Sequence, residues 1–276
     1  MALDKYSMKI ALYILASAFY AISSSTGYAN EPEPDKTVTI FAAASTSQAV
    51  EAIKKTYEIK NPDIKIRVSY GASALLARQI SKGAPADLFL SANAEWLNWL
   101  ESKLKDKSIT KPVIISHNRL MLISGKSEPT LSCPPLPSQL AHALRDKRFV
   151  LADPNVAPLG QYSKQALIAL KLWKTVEPSL AIASNANLAL KMIERGAGPY
   201  GIAYASGTMN NTLIKDMCLL PASSHKSINY YLVPINMPSE ATTSFADYLA
   251  HESEQHWTKA GFYTPSSHAT SNNGVK

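Results

Sequence analysis

The sequence predicts an α/β protein built from parallel strands, with helices on both faces of each sheet. Short apolar runs rich in β-branched residues alternate with stretches of helical periodicity along most of the 276 residues. Two consecutive strand-like runs each pass through a turn of small residues into a helix opened by a serine, at Ser45 and at Ser73, and a third polar helix start follows at Ser184-Asn185. In an open parallel sheet such helix starts point toward the carboxyl edge of the strands, where these folds bind ligands.

The first unit runs from Val38, Ile40 and Phe41, which suit a buried strand, through Ala42–Ala44 to Ser45. Ala49, Val50, Ile53 and Tyr57 then recur at helical spacing up to the breaker Asn61-Pro62. Ser45, Thr46 and Ser47 therefore stand at or near a helix N-terminus. Amide hydrogens there have no intrahelical partner, and the macrodipole adds partial positive charge, so the start can hold an anion or serve as an ordinary cap. The second unit repeats the device: Ile64–Tyr70 alternates as a strand, Gly71-Ala72 turns, and Ser73 opens a helix carrying Leu75, Leu76, Gln79 and Ile80.

Leu88–Leu90 reads as a third buried strand after the turn Gly83–Asp87. Trp96, Leu97, Trp99 and Leu100 follow as the core stripe of a helix. Val113–Ile115 and Leu120–Ile123 read as strands broken by His117-Asn118-Arg119, and proline-rich Lys126–Pro137 reads as a linker and a candidate domain crossing. Alternation then resumes with a strand at Phe149–Ala152, a helix at Gln161–Leu172, a strand at Leu180–Ala183 and a capped helix at Ala186–Glu194. Strands at Ile202–Tyr204, Leu213–Leu220 and Tyr230–Ile235 and a closing helix around Phe245–Leu249 complete the pattern, before a polar end from Thr264. No internal repeat is visible.

Residues 1–29 read as a secretory signal cleaved after Ala29: Lys5 and Lys9 precede the apolar run Ile10–Ile22, and Gly27 and Ala29 are small at the cleavage positions. That run is too short to span a bilayer, and no cysteine lies near the cleavage point to carry a lipid. The expected location is a bacterial periplasm. The formal net charge of +7 is spread along the chain, and the short basic clusters at Lys103–Lys107 and Arg145–Arg148 lack interleaved aromatics. They read as solvated faces, which argues against a nucleic-acid partner and supports a weak attraction for small anions. The two cysteines, Cys133 and Cys218, could pair in an oxidising compartment, and the sequence leaves that open. A serine hydrolase would need a base, yet none of the six histidines stands in a metal-ligand or nucleophile-elbow context. Asp87, in its tight turn, reads as a backbone cap, and no enzymatic activity is expected.

Several stretches together resemble the periplasmic molybdate-binding proteins of ABC importers: F-A-A-A-S at Phe41–Ser45, L-A-R-Q-I at Leu76–Ile80 and G-A-P-A-D-L-F-L-S-A at Gly83–Ala92. A-D-P at Ala152–Pro154, P-L-G at Pro158–Gly160, I-E-R at Ile193–Arg195, P-Y-G-I-A-Y at Pro199–Tyr204 and S-H-K at Ser224–Lys226 continue it. The resemblance runs from about Thr37 to Phe262. It implies the type II periplasmic binding protein fold, two lobes that are each a mostly parallel sheet flanked by helices, with a ligand cleft between them. Lobe one would be residues 30–117 and 234–276, and lobe two residues 118–233. It implies a monomer without a cofactor that binds molybdate or tungstate and delivers it to a membrane permease, another oxyanion such as sulfate being the alternative. The anion would be held by the hydroxyls of Ser45, Ser73 and Tyr204 and the main-chain amides of Leu159 and Ala186, the metal being reached only through its oxygens. The second serine departs from the serine-rich run usual in that family, since it lies in Ala72-Ser73-Ala74.

Overall fold

A computed structural model describes residues 36–104, 109 and 111–264. The expected signal sequence and the polar end beyond Thr264 lie outside the described residues. Two five-stranded sheets flanked by helices make up the α/β fold.

The first sheet contains β1 (Lys36–Ala43), β2 (Ile64–Gly71), β3 (Leu88–Ser91), β4 (Val113–Asn118) and β10 (Ile228–Pro234), in the order β2-β1-β3-β10-β4. The second contains β5 (Leu120–Gly125), β6 (Phe149–Ala152), β7 (Leu180–Ala183), β8 (Tyr200–Tyr204) and β9 (Ile214–Leu219), in the order β7-β6-β8-β5-β9. Both sheets are mixed, combining parallel and antiparallel pairs. In each, three parallel strands are followed by a strand antiparallel to both its neighbours, β10 in the first and β5 in the second. Those two are the strands entered directly after the chain passes between the sheets. The two sheets therefore share one topology, a repeat the sequence conceals.

The chain makes two passages between the sheets. The first is made by Arg119 alone, between Asn118 of β4 and Leu120 of β5, so Lys126–Pro137 is a loop of the second sheet and no crossing. Its prolines reflect an irregular path that ends at α4 (Pro137–Leu144). The return precedes Ile228, because β10 pairs with β3 and β4. Residues 228–233, which the resemblance placed in lobe two, pair with strands of the first sheet.

The helices form where apolar periodicity demanded them. After a 3-10 turn at Ala44–Thr46, α1 (Ser47–Lys60) buries Ala49, Val50, Ile53 and Tyr57. Tyr57 meets Phe245 at 4.9 Å and Tyr248 at 5.2 Å between ring centroids, which fixes the closing helix against α1. α2 (Ser73–Ser81) buries Leu76, Ala77 and Ile80, whereas Leu75 faces outward, half exposed. α3 (Ala94–Lys103) buries Trp96, Leu97 and Leu100 beside Phe89, so the tryptophan stripe is core. α5 (Pro158–Ala169) starts three residues before the expected position, with Pro158 in its first turn, where a missing N–H costs nothing. α6 is the short Trp173–Val176, and α7 (Ala186–Glu194) is capped by the Asn185 side chain, which accepts from Leu188 N at 3.0 Å. Asp87 accepts the Thr39 amide of β1 at 2.7 Å, a structural role across the sheet and not the local backbone cap expected. Among the described residues no helix is long and apolar enough to cross a membrane.

Cys133 and Cys218 are joined, with their Cα atoms 5.7 Å apart, and tie the proline-rich loop to β9. The link closes a sequence separation of 85 residues, for which chain entropy alone gives up to about 4.6 kcal/mol. Reduction should therefore lower the melting temperature by roughly 10 °C. Equal melting curves with and without reductant, after thiol titration has verified reduction, would show that the loop is held by other contacts.

Candidate functional site

The register of β1 and β2 places the first two candidate residues. Lys36 pairs with Ile64 and the match continues without slip to Ala43 opposite Gly71. Ser45 and Ser73 each follow two residues later, at the same level on the carboxyl edge of adjacent parallel strands. Ser73 is the first residue of α2, fully buried, and its Oγ accepts the Ala92 amide at 3.1 Å. That leaves the Ser73 proton to be donated elsewhere. Ser45, in the 3-10 turn, is partly buried, and its Oγ lies 2.9 Å from the Tyr230 hydroxyl.

The second sheet supplies the other three candidates from the carboxyl edge of its own parallel strands. Leu159 is in the first turn of α5 beyond β6, Ala186 is the first residue of α7 beyond β7, and Tyr204 ends β8. Leu159 is buried, and the glycine after it explains how closely its helix approaches the strand. A Cβ on Gly160 would collide with the Ala152 carbonyl oxygen and the Asp153 backbone. Tyr204 is buried, its hydroxyl makes no hydrogen bond of good geometry, and the Tyr230 phenol beside it interacts with it electrostatically. A buried hydroxyl left in that state is costly unless a ligand or water satisfies it.

Contacts between their neighbours bring the two sets of residues together. Val156, just before α5, accepts the Ala74 amide at 3.4 Å, while Asn187 donates to Ser47 Oγ at 3.0 Å. Asn93 donates to Gln161 Oε1 at 2.6 Å, and Gln161 in turn reaches Glu95 at 3.3 Å. The Tyr204 and Tyr230 rings meet edge to face at 6.2 Å. Residues beside the candidates thus bridge the carboxyl edges of the two sheets.

None of the five carries a formal charge. Burial pushes the Tyr204 phenol well above its ordinary value, with smaller contributions from Tyr230 and Tyr162, and burial likewise raises Tyr230 and Tyr162. These hydroxyls stay protonated throughout the physiological range. The candidates offer neutral donors, three helix N-termini and a serine that already accepts the Ala92 amide. Among the described residues no cluster of His, Cys, Asp or Glu could hold a metal ion. Sequence reasoning missed Tyr230 and Asn118. Tyr230 lay in a strand that read as core and Asn118 in what read as a break between strands, and only their contacts across the fold reveal them.

Residues 38–263 match the family of bacterial extracellular solute-binding proteins, and the chain belongs to that family. It is 35% identical over 193 residues to the molybdate-binding protein ModA of Haemophilus influenzae, covering 70% of this chain and 76% of that one. The structure resembles the periplasmic molybdate-binding protein of Azotobacter vinelandii, with a TM-score of 0.68, 18% identity and coverage of 83% and 99%. It resembles the sulfate-binding protein SubI of Mycobacterium tuberculosis equally well, at 0.68 with 16% identity and coverage of 86% and 91%. The fold is common to both and does not choose between their ligands. The family is one of binding proteins, not enzymes.

Because Gly160 lets α5 seat against the end of β6, Gly160→Ala should destabilise the protein by about 3 kcal/mol or more, a fall of several degrees in melting temperature. A variant melting with the wild type would mean that α5 can withdraw without cost and that the Leu159 amide is not held rigidly.

Proposed function

We propose that this member of the bacterial extracellular solute-binding family binds molybdate, and tungstate, in the periplasm and delivers it as a monomer to the permease of an ABC importer. The reading is supported by the position of neutral donors at the carboxyl ends of strands in both sheets: the Ser45, Ser73 and Tyr204 hydroxyls and the Leu159 and Ala186 amides. Hydrogen bonds to a charged acceptor are roughly twice as strong as neutral ones, so enough converging dipoles can hold a dianion without a cation. The similarity to the Haemophilus influenzae protein supports the choice of molybdate. The export signal ending at Ala29 supports the location, and the lobes would be residues 36–118 with 228–264, and 119–227.

A donor-only site disfavours hydrogen phosphate, which carries a proton that needs an acceptor. Sulfate, a full dianion, passes that filter and has to be distinguished by size. Calorimetry with molybdate, tungstate, sulfate and phosphate tests the assignment directly. Tight binding of sulfate with no response to molybdate would reassign the ligand.

Binding to the native state alone should stabilise it by about 2.7 kcal/mol at a hundredfold excess over Kd, raising the melting temperature by roughly 5–10 °C. An unshifted melt in saturating molybdate counts against the reading. Ser45→Ala and Ser73→Ala should each weaken binding by roughly 10- to 150-fold, the value of one hydrogen bond to a charged group. If either variant lost stability yet bound like the wild type, that serine would be a helix cap and no ligand.

Affinity should be flat between about pH 6 and 8. The site phenols have raised pKa values, so their donor forms persist and are lost only well above pH 10. A tenfold change in Kd across that window would reveal an ionisable group in the site.

A further inference from the structure

We infer that Tyr230, oriented by Asn118, is a positioning residue that commits the Ser45 hydroxyl to donate into the cleft, so that the connection between the sheets sets the polarity of the binding site. The inference rests on the proposed oxyanion reading.

The direction of the bonds follows from the network. Asn118, the last residue of β4, is buried, and its Oδ1 accepts two backbone amides, Arg119 N at 2.9 Å and Ser206 N at 3.3 Å. Those two donors fix which way the side-chain amide faces. Its Nδ2 therefore donates, to Ser206 Oγ at 2.8 Å and to the Tyr230 hydroxyl at 3.3 Å. Tyr230 Oη accepts from Asn118, and of the two directions open to its 2.9 Å contact with Ser45 Oγ we assign the one in which the Tyr230 proton is donated to Ser45. The Tyr230 ring is fully buried, edge to face with Phe262 at 5.2 Å and Tyr204 at 6.2 Å, and burial keeps its phenol protonated.

Ser45 then holds an incoming hydrogen bond on its oxygen and has its proton free for the anion. Hydrogen bonds in a chain polarise one another in the same sense, so each donor strengthens the next. Ser73 reaches the same state through the Ala92 amide. The difference is that Ser45 is set by a side chain on β10 and an asparagine at the passage between the sheets. Without the Tyr230 hydroxyl, Ser45 could rotate and offer a lone pair to the cleft, where a protonated oxyanion such as hydrogen phosphate would use it.

The test is Tyr230→Phe, made in the wild type and in a Ser45→Ala background, with molybdate and phosphate affinities measured at pH 7 by calorimetry and competition. In the wild type the substitution should weaken molybdate binding by about 3- to 10-fold and narrow the molybdate-over-phosphate ratio by about tenfold. In the Ser45→Ala background it should change neither, because the effect acts through Ser45. Equal losses in both backgrounds, or an unchanged ratio, would falsify the inference and leave Tyr230 as packing. Should Tyr230→Phe fail to fold, Asn118→Ala removes the donor that turns Tyr230 toward Ser45 and must show the same dependence on Ser45. A wild-type protein that binds no oxyanion overturns the parent reading instead.

Discussion

The unbroken parallel register between β1 and β2 is the constraint on which the cleft depends. Eight consecutive residue pairs, from Lys36 and Ile64 to Ala43 and Gly71, bring two turns and two helix starts to the same height. A one-residue slip would reverse the faces of a whole strand, exposing Ile40 or Ile66, both of which are buried. Core packing therefore sets the level of Ser45 against Ser73, and the binding geometry follows from burial of side chains that never touch a ligand. The second sheet applies the same constraint, with Ala152 opposite Ala183 at the ends of β6 and β7. Each sheet contributes an edge of helix N-termini, and the cleft lies where the edges meet.

Parts of this were legible because they are local. The strand at Leu88–Leu90 and the helix Ala186–Glu194 with its Asn185 cap are each written in a few adjacent residues. The five candidate positions fall at strand ends, as the alternation and the resemblance require. What stayed hidden is non-local. No short-range signal makes β5 and β10 antiparallel, since strand direction is decided by the path of the chain through Arg119 and through Leu220–Ser227. Prolines at 129–137 looked like a domain boundary because composition reports irregular backbone, and the disulfide now holds that loop to its own sheet. Tyr230 read as one more apolar strand residue, and only its neighbours Asn118 and Ser45, 112 and 185 positions away, give it a further role.

The absence of charge from the candidate residues has a physical logic. A buried lysine or arginine would pay a large desolvation penalty whenever the cleft is empty and closed, and would favour any anion of the right charge. Neutral dipoles avoid that penalty and discriminate by direction, since every donor has to find a lone pair. The Tyr204 hydroxyl is among the few buried polar atoms of the described residues that lack a hydrogen bond of good geometry, and it is the one of these that the proposed site would use.

That unsatisfied group bears on how the two halves close. The contacts Asn187 to Ser47, Asn93 to Gln161 and Gln161 to Glu95 join them across the cleft, and two of the three are between neutral groups. Each such bond contributes about 0.5–1.5 kcal/mol net, before the entropy of ordering the side chains is subtracted. Their sum is comparable with the few kcal/mol that separate alternative conformations of a hinged protein. A ligand bonded from both sheets adds interactions that exist only in the closed arrangement. It can shift the balance only by that difference in affinity. On the proposed reading, weak contacts across the cleft and a donor set split between the sheets would make closure responsive to the anion, where stronger contacts between the halves would make it indifferent.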